Sequence, residues 1–456
     1  MRTKIVTVLA FVLVITANAQ DKKWTLQECV DYALENNLSI KQQELSNELI
    51  EEDIVSAKGN LYPSLSASAS QNFNFGSYID NYGGRVSIDS RSNSFGINTG
   101  VTLYNGNRNK KNILQAQKNL EAAGFDLEEN KNNIMLYIVN SYLNVLLYKE
   151  SLIIAQDQVD ISKSQLEKVK SLVDAGTEPK STLLEAQATL ANNDQQVTTA
   201  KNNLDLSLLS LAQILQISHK GFDVEDVEIN LNSASLIYND TDDIYNKALS
   251  ILPEIKSAEI TVENSDLGIE IAKGAYYPSL SLGASVGSSY QHAQGQKDER
   301  AVIDPETNEI VYQSNGFGQQ LEDNLGYNIG LSLNIPIFNR FQTKSSVAKA
   351  QINKERAELQ LLDKQVKLRE DIEKAYADAK AALNQFISAQ TSLQAQQESF
   401  KNAQESYNLG VMTSFDFDQV RNRLVNAQST LANAKYNFVF RTKLLEYYYG
   451  IPIVIN

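Results

Sequence analysis

The sequence predicts a mixed α and β membrane protein with an internal two-fold repeat, and two observations carry that prediction. The stretch Ala57-Lys58-Gly59-Asn60-Leu61-Tyr62-Pro63-Ser64-Leu65-Ser66 returns 215 residues on as Ala272-Lys273-Gly274-Ala275-Tyr276-Tyr277-Pro278-Ser279-Leu280-Ser281. Ala200-Lys201-Asn202-Asn203-Leu204 returns 234 residues on as Ala434-Lys435-Tyr436-Asn437-Phe438, so an insertion of 19 residues lies inside the second copy. A helix–hairpin–helix–helix unit that cannot bury its own apolar faces is built to assemble. The second observation is a scarcity of breakers. With 21 Gly and 7 Pro in 456 residues, the chain suits a few very long helices better than several compact domains.

Taken in order, Arg2 and Lys4 precede an apolar run from Ile5 to Ile15 and then Ala17-Asn18-Ala19. That pattern reads as a secretory signal over residues 1–19, with the mature chain starting at Gln20. Two repeats then follow, at 20–235 and 236–456. Loss of Arg2 and Lys4 takes the formal charge from −14 to −16. An acidic chain without a basic stripe argues against nucleic-acid binding and fits a solvated periplasmic or extracellular surface. Cys29 is the single cysteine, so no intrachain disulfide forms, and it reads as a small apolar residue on the buried face of the first helix. The run Ile134 to Tyr148 is too short and too polar for a transmembrane helix and reads as a packed segment.

The first helix is expected from Thr25 to Lys58, stopped by Gly59 and Pro63, and its copy from Asp242 to Lys273, stopped by Gly274 and Pro278. Four strands of period two follow these helices. Ser64, Ser66, Ser68, Ser70 and Asn72 alternate with Leu65, Ala67, Ala69, Gln71 and Phe73, and Asn98 and Gly100 with Ile97, Thr99 and Val101. In the second copy Ser281, Gly283 and Ser285 alternate with Leu280, Leu282 and Ala284, and Asn328 and Gly330 with Ile329 and Leu331. Solvent-facing strands of soluble sheets carry Lys and Glu, but these faces carry neither. The alternation therefore favours a membrane barrel with a lumen of Ser, Asn and Gly, lined by Ser66, Ser68, Ser70, Asn98, Ser281 and Asn328. About 11 residues at ~3.3 Å, tilted ~40°, span roughly 28 Å, close to the ~25 Å apolar band of such barrels. Tyr62, Tyr104, Tyr276, Tyr277 and Phe338 fall at the helix-side strand ends, where an aromatic girdle belongs. At the far end, loops are expected over 76–93 and 291–324, the second holding most of the insertion.

Beyond the hairpins run breaker-poor stretches, Asn109 to Asp174 and Thr343 to Asn408, each about 65 residues or roughly 98 Å of helix. Ala116, Ala123, Leu127, Ile138 and Tyr142 correspond to Ala350, Ala357, Leu361, Ile372 and Tyr376, a spacing of sevens and fours as in a coiled-coil seam. Each helix turns at Gly176 or Gly410 and returns, to about Leu215 and Tyr447. Two hairpins cannot close a barrel, and open sheet edges in hydrocarbon cost several kcal/mol per unpaired group. Eight strands from two copies would need large side chains to fill the lumen, whereas twelve strands from three copies leave a water channel. Small lumen residues favour three.

In these features the chain resembles the TolC-type outer membrane factors. The resemblance rests on the duplication, on Ala-Lys-Gly…Tyr-Pro-Ser-Leu before each first strand, and on Leu103-Tyr104-Asn105-Gly106 and Ile335-Pro336-Ile337-Phe338-Asn339. The turns after Gly176 and Gly410 add to it. It implies a homotrimer with a 12-strand transmembrane β-barrel in outer-membrane lipid, continuous with a long periplasmic α-helical barrel that holds most of the mass. It also implies an exit duct for small molecules or polypeptides in a tripartite efflux pump or type I secretion system. Its partners would be a periplasmic adaptor (membrane fusion) protein and an inner-membrane pump, such as a resistance-nodulation-division or ABC transporter.

By the same resemblance the duct narrows at the hairpin tips. Tyr407 stands where the family has a linking tyrosine, and Asp416 where it has the first constriction aspartate. The second acidic position is Gln419, with Asp418 beside it, and the first hairpin's aspartate is replaced by Thr182 beside Ser181. The tips around Gly176 and Gly410 are the family's adaptor-docking surface. Two readings of Asp416 stand open. Three carboxylates around a narrow axis would concentrate cations, or Thr413-x-x-Asp416 is an ordinary capping box. No cofactor or metal is expected. With only His219 and His292, and no nucleophile or phosphate loop near them, the sequence also argues against an enzyme. The competing reading is a secreted structural or adhesive coiled-coil surface protein, which would leave the membrane fraction without detergent.

Overall fold

The computed structural model describes residues 23–87, 89–227 and 240–451, so the expected signal at 1–19 and the repeat boundary at 235/236 lie outside the described residues. In chain order the elements are β1 (Lys23–Trp24), α1 (Leu26–Asn36), α2 (Leu38–Gly59), β2 (Ser64–Asn74), β3 (Ser77–Ile79), β4 (Arg85–Ser87), β5 (Ser90–Asn105), α3 (Arg108–Asp174), α4 (Lys180–Leu215) and β6 (Asp223–Val224). There follow α5 (Thr241–Ile251), α6 (Pro253–Gly274), β7 (Ser279–Ala293), β8 (Glu299–Ile303), β9 (Ile310–Ser314), α7 (Phe317–Asp323), β10 (Gly326–Asn334), α8 (Gln342–Asn408) and α9 (Ser414–Tyr449). The chain divides into two compact units, and each draws on both halves of the sequence. One comprises Met1–Ser46, Ala122–Glu259 and Gln360–Asn456, the other Asn47–Glu121 and Ile260–Leu359. Among the described residues no helix is long and apolar enough to cross a membrane.

The first unit is helical. Helix α1 starts at a capping box in which Glu28 N donates to Thr25 Oγ1 and Thr25 N to Glu28 Oε2, both at 3.1 Å. Its inner face, Leu26, Cys29, Val30 and Ala33, packs on Ile138, Val139, Tyr142 and Leu146 of α3 and on Leu211 and Leu215 of α4. The expected single helix from Thr25 to Lys58 is in fact two. Asn37 is extended (ψ 129°) and its Oδ1 accepts Ser39 N at 2.8 Å, capping α2 afresh. The copy breaks at the matching place for a different reason. Pro253 disfavours helical geometry at the residue before it, and Leu252 is extended at ψ 132°.

Burial, with Glu28 adding a nearby negative charge, pushes the Cys29 thiol up to about 12. The unfolded thiol ionises near 9.0, so this contribution to stability is present below pH 9 and is lost as the pH climbs from there toward 12. Cys29 is expected to resist maleimide at pH 8 in the folded protein and to react once denaturant unfolds it. Rapid labelling of native protein would contradict its place in the core.

Two features of this unit have no counterpart in the sequence reading. Strands β1 and β6 pair in parallel, Lys23 with Asp223 and Trp24 with Val224. Lys149 Nζ fastens the pair, 2.8 Å from Asp223 Oδ1 and 2.6 Å from Val224 O, and Tyr142 Oη donates to Glu225 O at 2.7 Å. A second cluster joins Ile244, Ala248, Leu252 and Ile255 to Ile372, Ala375 and Ala379 of α8.

The other unit is built on a four-stranded antiparallel sheet in the order β10-β7-β5-β2. The outer edges of β2 and β10 pair with no described strand. Strands β5 and β7 extend into the segments read as loops. The remainder of those segments holds the β3–β4 hairpin, the β8–β9 hairpin and α7, in place of irregular loops. Local turn chemistry explains the first hairpin, because Asp80 Oδ1 accepts Gly84 N at 2.7 Å and Tyr82 N at 3.0 Å.

Candidate functional site

Within the sheet, register decides which side chains share a face. Ser66 pairs with Asn98, Ser68 with Gly96 and Ser70 with Ser94, while Asn98 and Asn328 both pair with Ser285 and Ser281 pairs with Ser332. Ser66, Ser68, Ser70, Asn98, Ser281 and Asn328 therefore lie on one face, because directly paired residues point the same way. Leu65, Ile97, Tyr327, Ile329, Leu331 and Leu333 occupy the other face and are all exposed, Ile329 at 80%. A bulge corrects the expected alternation at one end. Leu103 is the extra residue between the Thr102–Ser281 and Tyr104–Leu280 pairs, which brings Tyr104 to the apolar side. Tyr62, Tyr276, Tyr277 and Phe338 are exposed as well.

In the helical unit both hairpin tips turn on a left-handed glycine, Gly176 at φ 75° and Gly410 at φ 74°. A Cβ at either would meet nothing within 4 Å, so glycine serves the backbone conformation and not a close approach. Thr177 N donates to Leu172 O at 3.0 Å and Val411 N to Ser406 O at 2.9 Å, closing each helix end with the same bond. Pro179 then stands at the N-cap position of α4 without a side-chain bond, whereas Thr413 caps α9 by accepting Asp416 N at 3.2 Å.

The candidate residues divide into two groups. Asp416 is exposed, and its Oδ2 accepts the Thr413 hydroxyl at 2.7 Å, so the capping geometry is present. Gln419 and Ser181 are exposed too. Tyr407 and Thr182 instead line one hollow of about 520 Å³ together with Lys168, Glu178 and Gly410. Thr182 Oγ1 donates to Glu178 Oε2 at 3.3 Å. The Tyr407 ring stacks on Phe417, centroids 4.7 Å apart and planes at 13°, with Lys168 Nζ 4.3 Å over it. Burial, reinforced by the Asp418 charge, raises the Tyr407 hydroxyl above its ordinary range.

Sequence reasoning missed the buried centre of this tip. Arg421 is 2% exposed, and its guanidinium donates to Gln165 Oε1 at 2.9 Å and Ser162 Oγ at 3.3 Å. It also pairs with Asp418 Oδ1 at 3.0 Å. Asn193 Nδ2 reaches the same Ser162 hydroxyl at 2.5 Å, so α3, α4 and α9 meet in one polar cluster. Burial raises the Asp418 carboxyl despite the neighbouring guanidinium. Asp418 is thus committed to Arg421, whereas Asp416 two residues earlier is exposed. The i,i+3 spacing of Asp418 and Arg421 was visible in the sequence, but it reads there as a solvated pair.

The model of the outer membrane efflux protein family matches residues 29–215 and 244–441 of the chain. Among curated proteins, the outer membrane protein TolC of Escherichia coli (strain K12) is 24% identical over 424 residues, covering 91% of this chain and 80% of that one. The outer membrane efflux protein BepC of Brucella suis biovar 1 (strain 1330) is 20% identical over 418 residues, covering 91% and 83%. Among solved structures, the outer membrane protein VceC of Vibrio cholerae superposes with a TM-score of 0.73 at 16% identity, over 94% of this chain and 97% of that one.

Proposed function

The chain belongs to the outer membrane efflux protein family, and on that premise we propose that three copies close one 12-strand barrel and that their long helices form a tunnel. It is an outer-membrane exit duct for efflux or secretion, with a large helical part in the periplasm. One observation carries the finer reading: a four-stranded sheet with one face mostly of Ser, Asn and Gly, an exposed apolar face and two outer edges that pair with no described strand. Unpaired edges in hydrocarbon demand further strands. Serines, asparagines and glycines are too small to fill an eight-strand lumen, so a third copy completes the wall. A surface rod in water would leave Tyr327, Ile329, Leu331 and Leu333 without an apolar environment.

On this reading residues 20–235 and 236–456 are two repeats of one unit, and Ser66, Ser68, Ser70, Asn98, Ser281 and Asn328 line the lumen. The tips form the periplasmic end. Asp416 and Gln419 with Tyr407, Ser181 and Thr182 narrow the duct there, and the turns at Gly176 and Gly410 meet a periplasmic adaptor fed by an inner-membrane pump. Capping and pore lining are compatible for Asp416, since the cap uses Oδ2 and the backbone while the residue stays exposed.

Single-channel recording of detergent-extracted protein in a planar bilayer under a salt gradient tests the reading. Discrete cation-preferring events are expected, and Asp416→Ala should lower the cation-to-anion permeability ratio by roughly two-fold or more, as removal of a charged ring does. Folded protein that never inserts would overturn the barrel. An unchanged ratio in Asp416→Ala would leave that residue a cap only.

A further inference from the structure

The repeat supplies a template for a contact that one chain does not make with itself. An offset of 215 carries α6 onto α2, and an offset of 234 carries α3 onto α8. Between the two repeats, α3 and α6 run side by side and antiparallel. Lys111 Nζ lies 2.9 Å from Glu270 Oε2 and Lys118 Nζ 2.9 Å from Glu263 Oε2. Asn264 Nδ2 donates to Asn119 Oδ1, and a Cβ on Gly268 would stand 3.8 Å from Gln115 Nε2. On another flank α6 meets α8, with Lys354 Nζ 2.7 Å from Asp266 Oδ1. The counterparts of α3 and α6 are α8 and α2, yet among the described residues no ion pair joins those two helices. A repeat unit buries its open flank on the next unit, and here the next unit belongs to another copy.

Both helices present matching surfaces. Leu45 and Leu49 of α2 are exposed, and each lies two places from the half-buried Asn47, which puts them nearly opposite it on the helix. Ile352 and Leu359 of α8 are exposed too, each two places beyond Ala350 or Ala357, which turn inward. Charge is complementary. Residues 47–59 of α2 hold four acidic side chains and one basic, a net −3, whereas residues 342–354 of α8 hold three basic and no acidic, a net +3. Among the described residues Glu48, Asp53 and Lys349 are exposed and form no ion pair. Carried across the two offsets, the Gln115–Gly268 contact becomes Lys349 against Asp53. Likewise Lys118–Glu263 becomes Ile352 beside Glu48, and Asn119–Asn264 becomes Asn353 against Leu49.

Chain direction agrees. Helix α2 leads into β2 and α8 leaves from β10, and these are the two outer strands of the sheet. Every pairing in that sheet is antiparallel, so β2 of a second copy added to β10 continues the alternation. The added α2 then runs antiparallel to α8, as α6 runs to α3. We propose that α2 of one copy docks on α8 of the next, in the register of α6 on α3, with Lys349 paired to Asp53. The leucine and isoleucine stripes bury one another, and the ion pair fixes the register. The seam is head-to-tail, so it closes a ring and not a two-fold dimer. It rests on the barrel reading above and names the residues that join the copies.

A short bismaleimide applied to membranes tests the seam, since the native Cys29 is buried. Leu49→Cys combined with Asn353→Cys should give covalent dimers and trimers on denaturing gels, while either substitution alone should leave monomers. In that background Lys349→Asp should lower the cross-linked yield roughly fivefold, and adding Asp53→Lys should restore it. Bilayer conductance of each variant is read alongside. A cross-link within one chain, or none, in protein that conducts normally overturns the seam and leaves the barrel standing. A yield unmoved by Lys349→Asp, or not restored by Asp53→Lys, overturns the pairing that sets the register. If the parent protein never inserts, the barrel reading is lost and the seam with it.

Discussion

Replacing Gly106 with alanine is expected to cost more than any other single methyl added to this chain, about 3–5 kcal/mol, and to abolish most of the folded, membrane-inserted protein. Two effects combine. Gly106 adopts φ 69°, where a side chain costs roughly 1–2 kcal/mol. Its added Cβ would also run into the backbone carbonyl oxygen of Gly274 and lie 3.1 Å from Tyr277 Cβ. Backbone cannot rotate aside as a side-chain tip can, so the exit of β5 and the end of α6 must separate. The contact is reciprocal, since a Cβ on Gly274 would strike Arg108 Cγ and come within 3.0 Å of Gly106 O. Gly59→Ala is the control. It occupies the equivalent place in the repeated Ala-Lys-Gly motif, yet a Cβ there meets nothing within 4 Å. As a helical glycine in open space it should become more stable by about 0.5–1 kcal/mol. Thermal unfolding and yield from the membrane fraction check both variants, and a Gly106→Ala protein within ~1 kcal/mol of the parent would refute the interlock.

That contrast shows what a repeat can and cannot disclose. Gly59 and Gly274 look interchangeable in the sequence, because both stop a helix before a Tyr-Pro-Ser-Leu segment. Only the structure shows that one of them also admits a neighbouring backbone. The two sheet faces were legible because alternation is local and no Lys or Glu interrupts it. The hairpin tips were legible because a left-handed turn after a long helix leaves glycine as its mark at 176 and 410. Pro253 was there to be read as a helix break, whereas Asn37 breaks its helix through a side-chain cap that many asparagines could make and few do. The β1–β6 pair and the Leu103 bulge carry no local signal, since each depends on a partner distant in sequence. Arg421 is the extreme case. A charge on a helix reads as solvated until Ser162, Gln165 and Asn193 arrive from two other helices.

Arg421→Leu is therefore expected to destabilise the hairpin end by about 3–5 kcal/mol, the usual cost of removing one member of a buried ion pair. The loss arises from what remains behind. Asp418 keeps its place among Arg421's former neighbours, its carboxyl already raised by burial, and Gln165 and Ser162 lose their common donor. If the pair were solvated, the same change would cost no more than about 1 kcal/mol. Asp418→Leu combined with Arg421→Leu separates the net worth of the pair from the penalty of an orphaned charge. The double variant should recover most of the loss, because two apolar side chains leave no unpaired ion near the Phe417 and Tyr407 stack. Hydrogen exchange locates the effect. Amides of α9 near 417–424 and of α3 near 158–169 should lose protection in the single variant, while those of the Cys29 and Tyr142 core keep theirs. Uniform loss across the unit would instead mean that the tip unfolds only with the whole. Unchanged exchange at the tip would mean that Arg421 fastens nothing.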